Sequence, residues 1–173
     1  MRHKIILLAL FAVLSLGMAA QENIHFLAGT PTQEGLSRKN AEALKLKVEQ
    51  ILARNNAGTV SKGNVYVIQP ELVLGETKRT EGLVRNVTLV TGELSLTARN
   101  REDGSTYATV TLEVQGDTTG SEEQAIAALI SQIKVTDRSF VRFIRTARKR
   151  IAEASAKAPV SSTEENNQEG GDE

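Results

Sequence analysis

The chain of 173 residues has no cysteine and no tryptophan, and only two tyrosines, four phenylalanines and two histidines. Without cysteine it forms no disulfide staple and no thiolate metal site, and it offers no sulfur for the thioether-linked lipid of a bacterial lipoprotein. His3 falls in the leader described below, which leaves His25 as the one imidazole of the mature chain. A zinc ion would need carboxylates around that single histidine, without the usual ligand spacing. A Ser–His–acid triad would have to use His25 beside a strand near the mature N-terminus, and no G-x-S-x-G turn accompanies it. His25 is therefore expected to be structural or at the surface. No metal site, cofactor or catalytic residue is expected. Tyr66 and Tyr107 are too few to stack single-stranded nucleic acid. Net charge is zero, so no general attraction to nucleic acid is implied.

What the chain does have begins with an address. Arg2 and Lys4 form a basic n-region, Ile5 to Leu16 is almost unbroken apolar sequence, and small residues follow at Gly17, Ala19 and Ala20. This is the layout of a cleaved secretory signal over residues 1–20, with cleavage after Ala19 or Ala20. The apolar run is too short to span a membrane, and no later segment is long enough to do so. A single domain over 21–156 follows, expected in a periplasm or outside the cell. Removing Arg2 and Lys4 leaves 19 basic and 21 acidic residues. Five of the acids (Glu164, Glu165, Glu169, Asp172, Glu173) lie beyond Pro159, where there is no Lys or Arg, so the body carries about +3. The polar segment 157–173 is expected to be a disordered acidic tail.

Along the domain, Ile24 to Ala28 reads as a short strand. Ala41, Leu44, Val48, Ile51 and Leu52 mark one face of a helix, capped by Ser37 or Asn40 and closed by Asn55, Asn56 and Gly58. The β-rich Val65–Val73 contains Pro70, which lacks an N–H, so it is an edge strand or two strands with a corner. Lys78 to Glu81 reads as a polar turn. Leu83 to Arg99 reads as a long strand whose apolar phase shifts from odd (Val87, Leu89) to even (Leu94, Leu96, Ala98), predicting a bulge near Thr91–Gly92. Arg101 to Gly104 supplies a hairpin loop. Ala108, Val110, Leu112 and Val114 then alternate with polar residues in the clearest strand. Ser121 with Gln124 makes a capping box for a second helix, and Asp137 caps a third from about Arg138 to Ala156, unless the two are one helix bent at Val135–Thr136. The order β-α-β-β-β-α-α predicts an α+β two-layer sandwich: a mostly antiparallel sheet with a long hairpin and helices packed on one face.

Three patterns bear on chemistry. Gly116–Ser121 (GDTTGS) sits between a strand and a helix, as phosphate loops do, but lacks the Walker lysine and is one residue short. Glu122 and Glu123 would repel an anion there, so a capped turn is the better reading. Glu71, Glu76, Glu81 and Glu93 are scattered carboxylates that read as surface solubilisers rather than a glycosidase pair. In the third helix, Arg138, Arg142, Arg145 and Lys149 fall at i, i+4, i+7 and i+11 as one basic stripe, flanked by Arg148 and Arg150. It is either a solvated face or the contact for an acidic partner, an anionic head-group or the chain's own tail folding back.

The signal, the strand, the long helix ending in Arg54–Asn56 (RNN), the segment ending in Ile68–Pro70 (IQP), the long hairpin and Gly116…Gly120-Ser121…Ala125 together resemble the small α/β modules of Gram-negative envelope proteins. These are the CsgG-like, LpoB, TolB N-terminal, and FlgT and LPP20-like types. The likeness spans about residues 24–134. LpoB and CsgG carry a lipobox cysteine that this chain lacks, so their membrane tethering is not implied. The resemblance implies protein–protein binding in envelope assembly and no catalytic residues. The expectation is a secreted, non-enzymatic binding or assembly module, its partner surface on the basic stripe and on the strand edge near Pro70 (Val65–Leu74), where an envelope protein or a second copy would pair. The alternatives are a small carboxylate-using envelope enzyme and a peripheral anionic-lipid binder.

Overall fold

The computed structural model describes residues 24–31, 35–81 and 85–157. The leader and the tail beyond Lys157 lie outside the described residues. Strand β1 (Leu27–Ala28) is followed by helix α1 (Arg38–Arg54), strands β2 (Tyr66–Glu81), β3 (Asn86–Asn100) and β4 (Thr106–Thr118), and helices α2 (Glu122–Gln132) and α3 (Arg138–Lys157). The strands form one mixed sheet in the order β1-β2-β3-β4, with β1 parallel to β2 and the rest antiparallel. All three helices pack on one face, giving the two-layer α+β sandwich.

Local chemistry explains the helices. The Ser37 hydroxyl accepts the Asn40 N–H at the start of α1, and Asn56 adopts φ 48° at its end, a conformation asparagine tolerates. Asn40 is not the cap; it is buried, and its amide donates to the Glu123 carbonyl of α2 at 3.3 Å. Ser121 and Gln124 form the reciprocal capping box on α2. The Asp137 carboxylate accepts the Ser139 N–H at 2.8 Å and starts α3, so the last two helices are separate.

The core lies between the layers. Leu44, Val48 and Ile51 of α1, Leu129 and Ile130 of α2, and Phe140, Ala147 and Ile151 of α3 bury against Ile68 and Leu72 of β2 and Leu94 and Leu96 of β3. The other sheet face is polar and is covered by none of the described helices. There Ser95 pairs with Thr111 at 2.9 Å and Thr97 with Thr109 at 3.3 Å.

Four local expectations are corrected. The first strand is only two residues long; the Phe26 N–H instead donates to the Ala57 carbonyl at 2.7 Å, and Phe26 forms an isolated parallel bridge with Gly58 outside the four strands. Lys78 to Glu81 is no turn: these residues continue β2, paired with Leu89 down to Asn86. The apolar phase of β3 never shifts, because Thr88 and Val90 continue the buried even series while Val87 and Leu89 face outward. Thr88 is admitted to the inner face because its hydroxyl donates to the Gly120 carbonyl at 3.0 Å. The bulge exists, but its extra residue is on β2, where Gly75 and Glu76 stand opposite Thr91 alone. β2 also runs through Pro70 without a corner, in line with the edge-strand alternative.

Candidate functional site

Helix α3 is strongly amphipathic, and its apolar residues Phe140, Phe143, Ile144, Ala147 and Ile151 are all consumed by the core. The opposite face therefore carries Arg138, Arg142, Arg145 and Lys149, all four exposed. Lys149 makes an i,i+4 ion pair with Glu153 at 3.8 Å. Among the described residues, Arg138, Arg142 and Arg145 are in no ion pair of this kind. The two flanking cations have structural roles. Arg148 donates from Nε to the Ile24 carbonyl at 2.9 Å and from a terminal nitrogen to the Asn56 carbonyl at 2.6 Å, tying α3 to the chain entry and the end of α1. Arg150 donates to the Tyr107 carbonyl at 2.8 Å and ties α3 to β4. The sequence placed all six cations on one helix. It did not distinguish Arg148 and Arg150, which bond main-chain carbonyls of other elements, from the other four; Arg150 does so while itself exposed.

Beside this stripe lies a second feature that sequence reasoning did not single out. Val110, Leu112 and Val114 turn inward from β4 yet remain half-exposed, because β4 ends the sheet and α2 and α3 lie over its two ends. A groove of about 210 Å³ opens between Leu112, Val114, Leu129, Ile133 and Phe140, with Lys134 and Asp137 at its rim. Farther along the strand, a shallower depression has Ala108, Val110 and Phe143 as its floor and Arg142 and Arg150 as its wall. The signal for this was the lone position of β4 after the hairpin, with no later strand among the described residues to cover it.

Electrostatics at this end are simple. The Ser139 main-chain N–H holds the Asp137 carboxyl below its ordinary value of 3.8, assisted by the Ser139 side chain and the charge on Arg142. In the hairpin loop the Ser105 N–H does the same for Asp103. Burial pushes the Tyr107 hydroxyl up, with Tyr66 beside it adding to the effect; the rings meet edge-on at 5.9 Å.

The remaining sequence candidates are dispersed. His25 is exposed, and its carbonyl accepts from the Asn64 amide at 2.8 Å. Glu76 pairs with Lys78 at 3.1 Å in the bulge, Glu71 and Glu93 face outward from the sheet, and Glu81 ends β2. Glu93 does stand opposite Glu113 across β3 and β4, a pair the sequence did not suggest. Among the described residues no group of three or more histidine or acidic side chains could hold a metal ion. In the GDTTGS segment Gly116 belongs to β4, the Gly120 N–H bonds the Thr118 hydroxyl at 3.2 Å, and the Ser121 N–H is taken by Gln124, so this turn is a cap. No described helix is long and apolar enough to cross a membrane.

No protein-family model matches the sequence, and no curated protein matches it significantly. Solved structures similar to it include a candidate lipoprotein from Caulobacter crescentus (11% identity, TM-score 0.39, covering 83% of this chain and 98% of that one). A minor lipoprotein from Acinetobacter baumannii has 11% identity and a TM-score of 0.36, covering 73% of this chain and 83% of its own. A Xanthomonas campestris protein of the DUF330 family has 13% identity and a TM-score of 0.32, covering 67% of this chain and 64% of its own. Values of this size transfer neither a family nor a function to this chain.

Proposed function

We propose that this chain is a secreted, non-enzymatic protein-binding or assembly module of the bacterial cell envelope, and that Arg138, Arg142, Arg145 and Lys149 contact an acidic partner. The observation that carries this reading is the division of labour on α3. The helix commits its apolar face to the core and two arginines to internal main-chain carbonyls, yet leaves four further cations on the solvent face. Such a stripe accelerates encounter with an acidic surface and orients it. The basic n-region, apolar run and small residues of 1–20 support export, and the absence of cysteine suits a partner reached without a lipid anchor.

The test is crosslinking inside the cell, comparing the wild-type chain with Arg138→Glu/Arg145→Glu. Both positions are exposed, so the variant is expected to keep its circular dichroism and melting temperature. One acidic envelope protein joined to the wild type and absent from the folded variant is the expected result. An identical crosslinking pattern for the two overturns the reading. Flotation of the chain with anionic but not neutral vesicles would replace the protein partner with a lipid surface.

A further inference from the structure

The direction of main-chain groups on β4 follows from one hydrogen bond on the far side of the sheet. The Gly29 N–H donates to the Ile68 carbonyl at 2.8 Å, so Ile68 turns its main chain toward β1. In an antiparallel pair, residues directly opposite turn either both toward or both away from each other. Ala98, opposite Ile68, therefore turns toward β4, and Ala108, opposite Ala98, turns back toward β3. From there the register is unbroken to Thr118. Thr109, Thr111, Glu113 and Gln115 thus aim their N–H and C=O groups out of the sheet, and no described strand lies beyond them.

We infer that β4 accepts an extended segment of a partner protein as a fifth strand, with apolar side chains turned inward and a carboxylate at the Thr109 end. Three observations fix that chemistry. An added strand alternates its side chains, and its inward ones would fall over the half-exposed Val110, Leu112 and Val114 and into the apolar groove. At the Thr109 end, Arg142 and Arg150 wall the depression with positive charge, and a carboxylate is the complement. Those same arginines disfavour a second copy as the occupant. A two-fold pairing of β4 with itself about Leu112 would bring the second copy's Val114 and Gly116, and no carboxylate, to the inward side at the Thr109 end. At Tyr107 the carbonyl is already taken by Arg150, which sets where the added strand ends.

This inference rests on the reading of the chain as a binding module, but not on Arg138 or Arg145. The probe is the synthetic peptide Glu-Thr-Val-Thr-Val-Thr-Glu, whose glutamates alternate in phase with its inward valines, so that either strand direction presents a carboxylate to Arg142. Its control carries lysine at both ends. The acidic peptide is expected to slow amide exchange at Thr109, Thr111 and Glu113 and to bind about tenfold more tightly than the lysine peptide. Arg142→Glu is expected to reverse that order, and Thr111→Pro, which removes an outward N–H, to abolish binding. Arg138→Glu/Arg145→Glu should bind the peptide as wild type does. Its cellular crosslinking can therefore fail while peptide binding stands, and the reverse. Unprotected β4 amides, or equal binding of the two peptides, overturn the inference. So does a dimer by sedimentation equilibrium that Thr111→Pro converts to monomer, since the occupant would then be a second copy.

Discussion

Beyond Ile68, β2 turns every second main-chain group away from β3, and from Thr109 onward β4 does the same on the opposite side of the sheet. The two edges are built from different residues. β2 has Pro70, which offers no N–H, then the Gly75–Glu76 bulge, then Lys78 and Arg79. Short β1 also covers Val67 and Ile68. Proline, bulges, lysine and short covering strands are the usual devices against edge-to-edge pairing. β4 has none of these between Thr109 and Gln115, where Thr, Val, Leu and Glu alternate in flat register. Its guards stand at Tyr107, where Arg150 takes the carbonyl and a bulge leaves Tyr107 without an opposite residue on β3. The difference teaches that an edge strand in sequence is not yet a docking edge. Pro70 marks where pairing is blocked, and the unmarked edge is where a partner strand would fit.

The largest effect should come from how β4 is held to the helical layer. A Cβ on Gly116 would stand 2.6 Å from the Ala125 carbonyl and overlap the main chain of Leu129, so only glycine permits this approach. Gly116→Ala should cost about 3 kcal/mol in chemical denaturation. On β2, a Cβ at Gly75 meets the Thr91 hydroxyl at 3.0 Å, a side chain that can turn away. Gly75→Ala should stay within about 0.5 kcal/mol of wild type. Equal losses at both glycines would break the contrast.

Next in size is the arginine guard itself. Arg150→Met keeps the apolar stem and removes the bond to Tyr107, at a cost of about 1 kcal/mol. It should also speed exchange in the neighbouring β4 amides. Asp137→Asn acts at the other end of the groove, on the cap of α3. Because the folded-state pKa of Asp137 lies below its ordinary value, its contribution is present above pH about 4 and is lost as pH falls through the folded value. Asparagine also caps helices, so the variant should match wild type near neutrality and show a shallower loss between pH 5 and 3, each pH limit being about where an ordinary carboxyl titrates.

The layering was legible in the sequence because it depends on periodicity. The 3.6-residue stripe of α1 and α3 and the alternation at Ala108–Val114 each survive in the structure. What misled was local polarity. Lys78 to Glu81 looks like a turn because β2 runs past the helices and needs no apolar face there. Val87 and Leu89 look buried because they are apolar, yet Thr88 takes the inner position through its bond to Gly120. The candidate site divides in the same way. The basic stripe was legible from spacing alone. The roles of Arg148 and Arg150 depend on contacts between residues 43 or more positions apart, and the half-covered flank of β4 depends on where α2 and α3 pack back over it.

The smallest expected effect lies on the polar face, where the two hairpin arms again differ. Across β2 and β3, Glu71 stands opposite Ser95; across β3 and β4, Glu93 stands opposite Glu113. Like charges directly opposed on a sheet are unfavourable, and no described ion pair offsets this one. Glu93→Gln should therefore stabilise the chain by roughly 0.5 kcal/mol, with the gain shrinking as salt screens the repulsion. Glu71→Gln should leave stability unchanged under the same conditions. Glu113 is one of the residues whose main chain faces out of the sheet, so relieving its repulsion also bears on the open edge. If Glu93→Gln stabilises the chain but peptide affinity at β4 is unchanged, recognition resides in the main chain and the inward face. If affinity changes with it, the polar face takes part in reading the added strand.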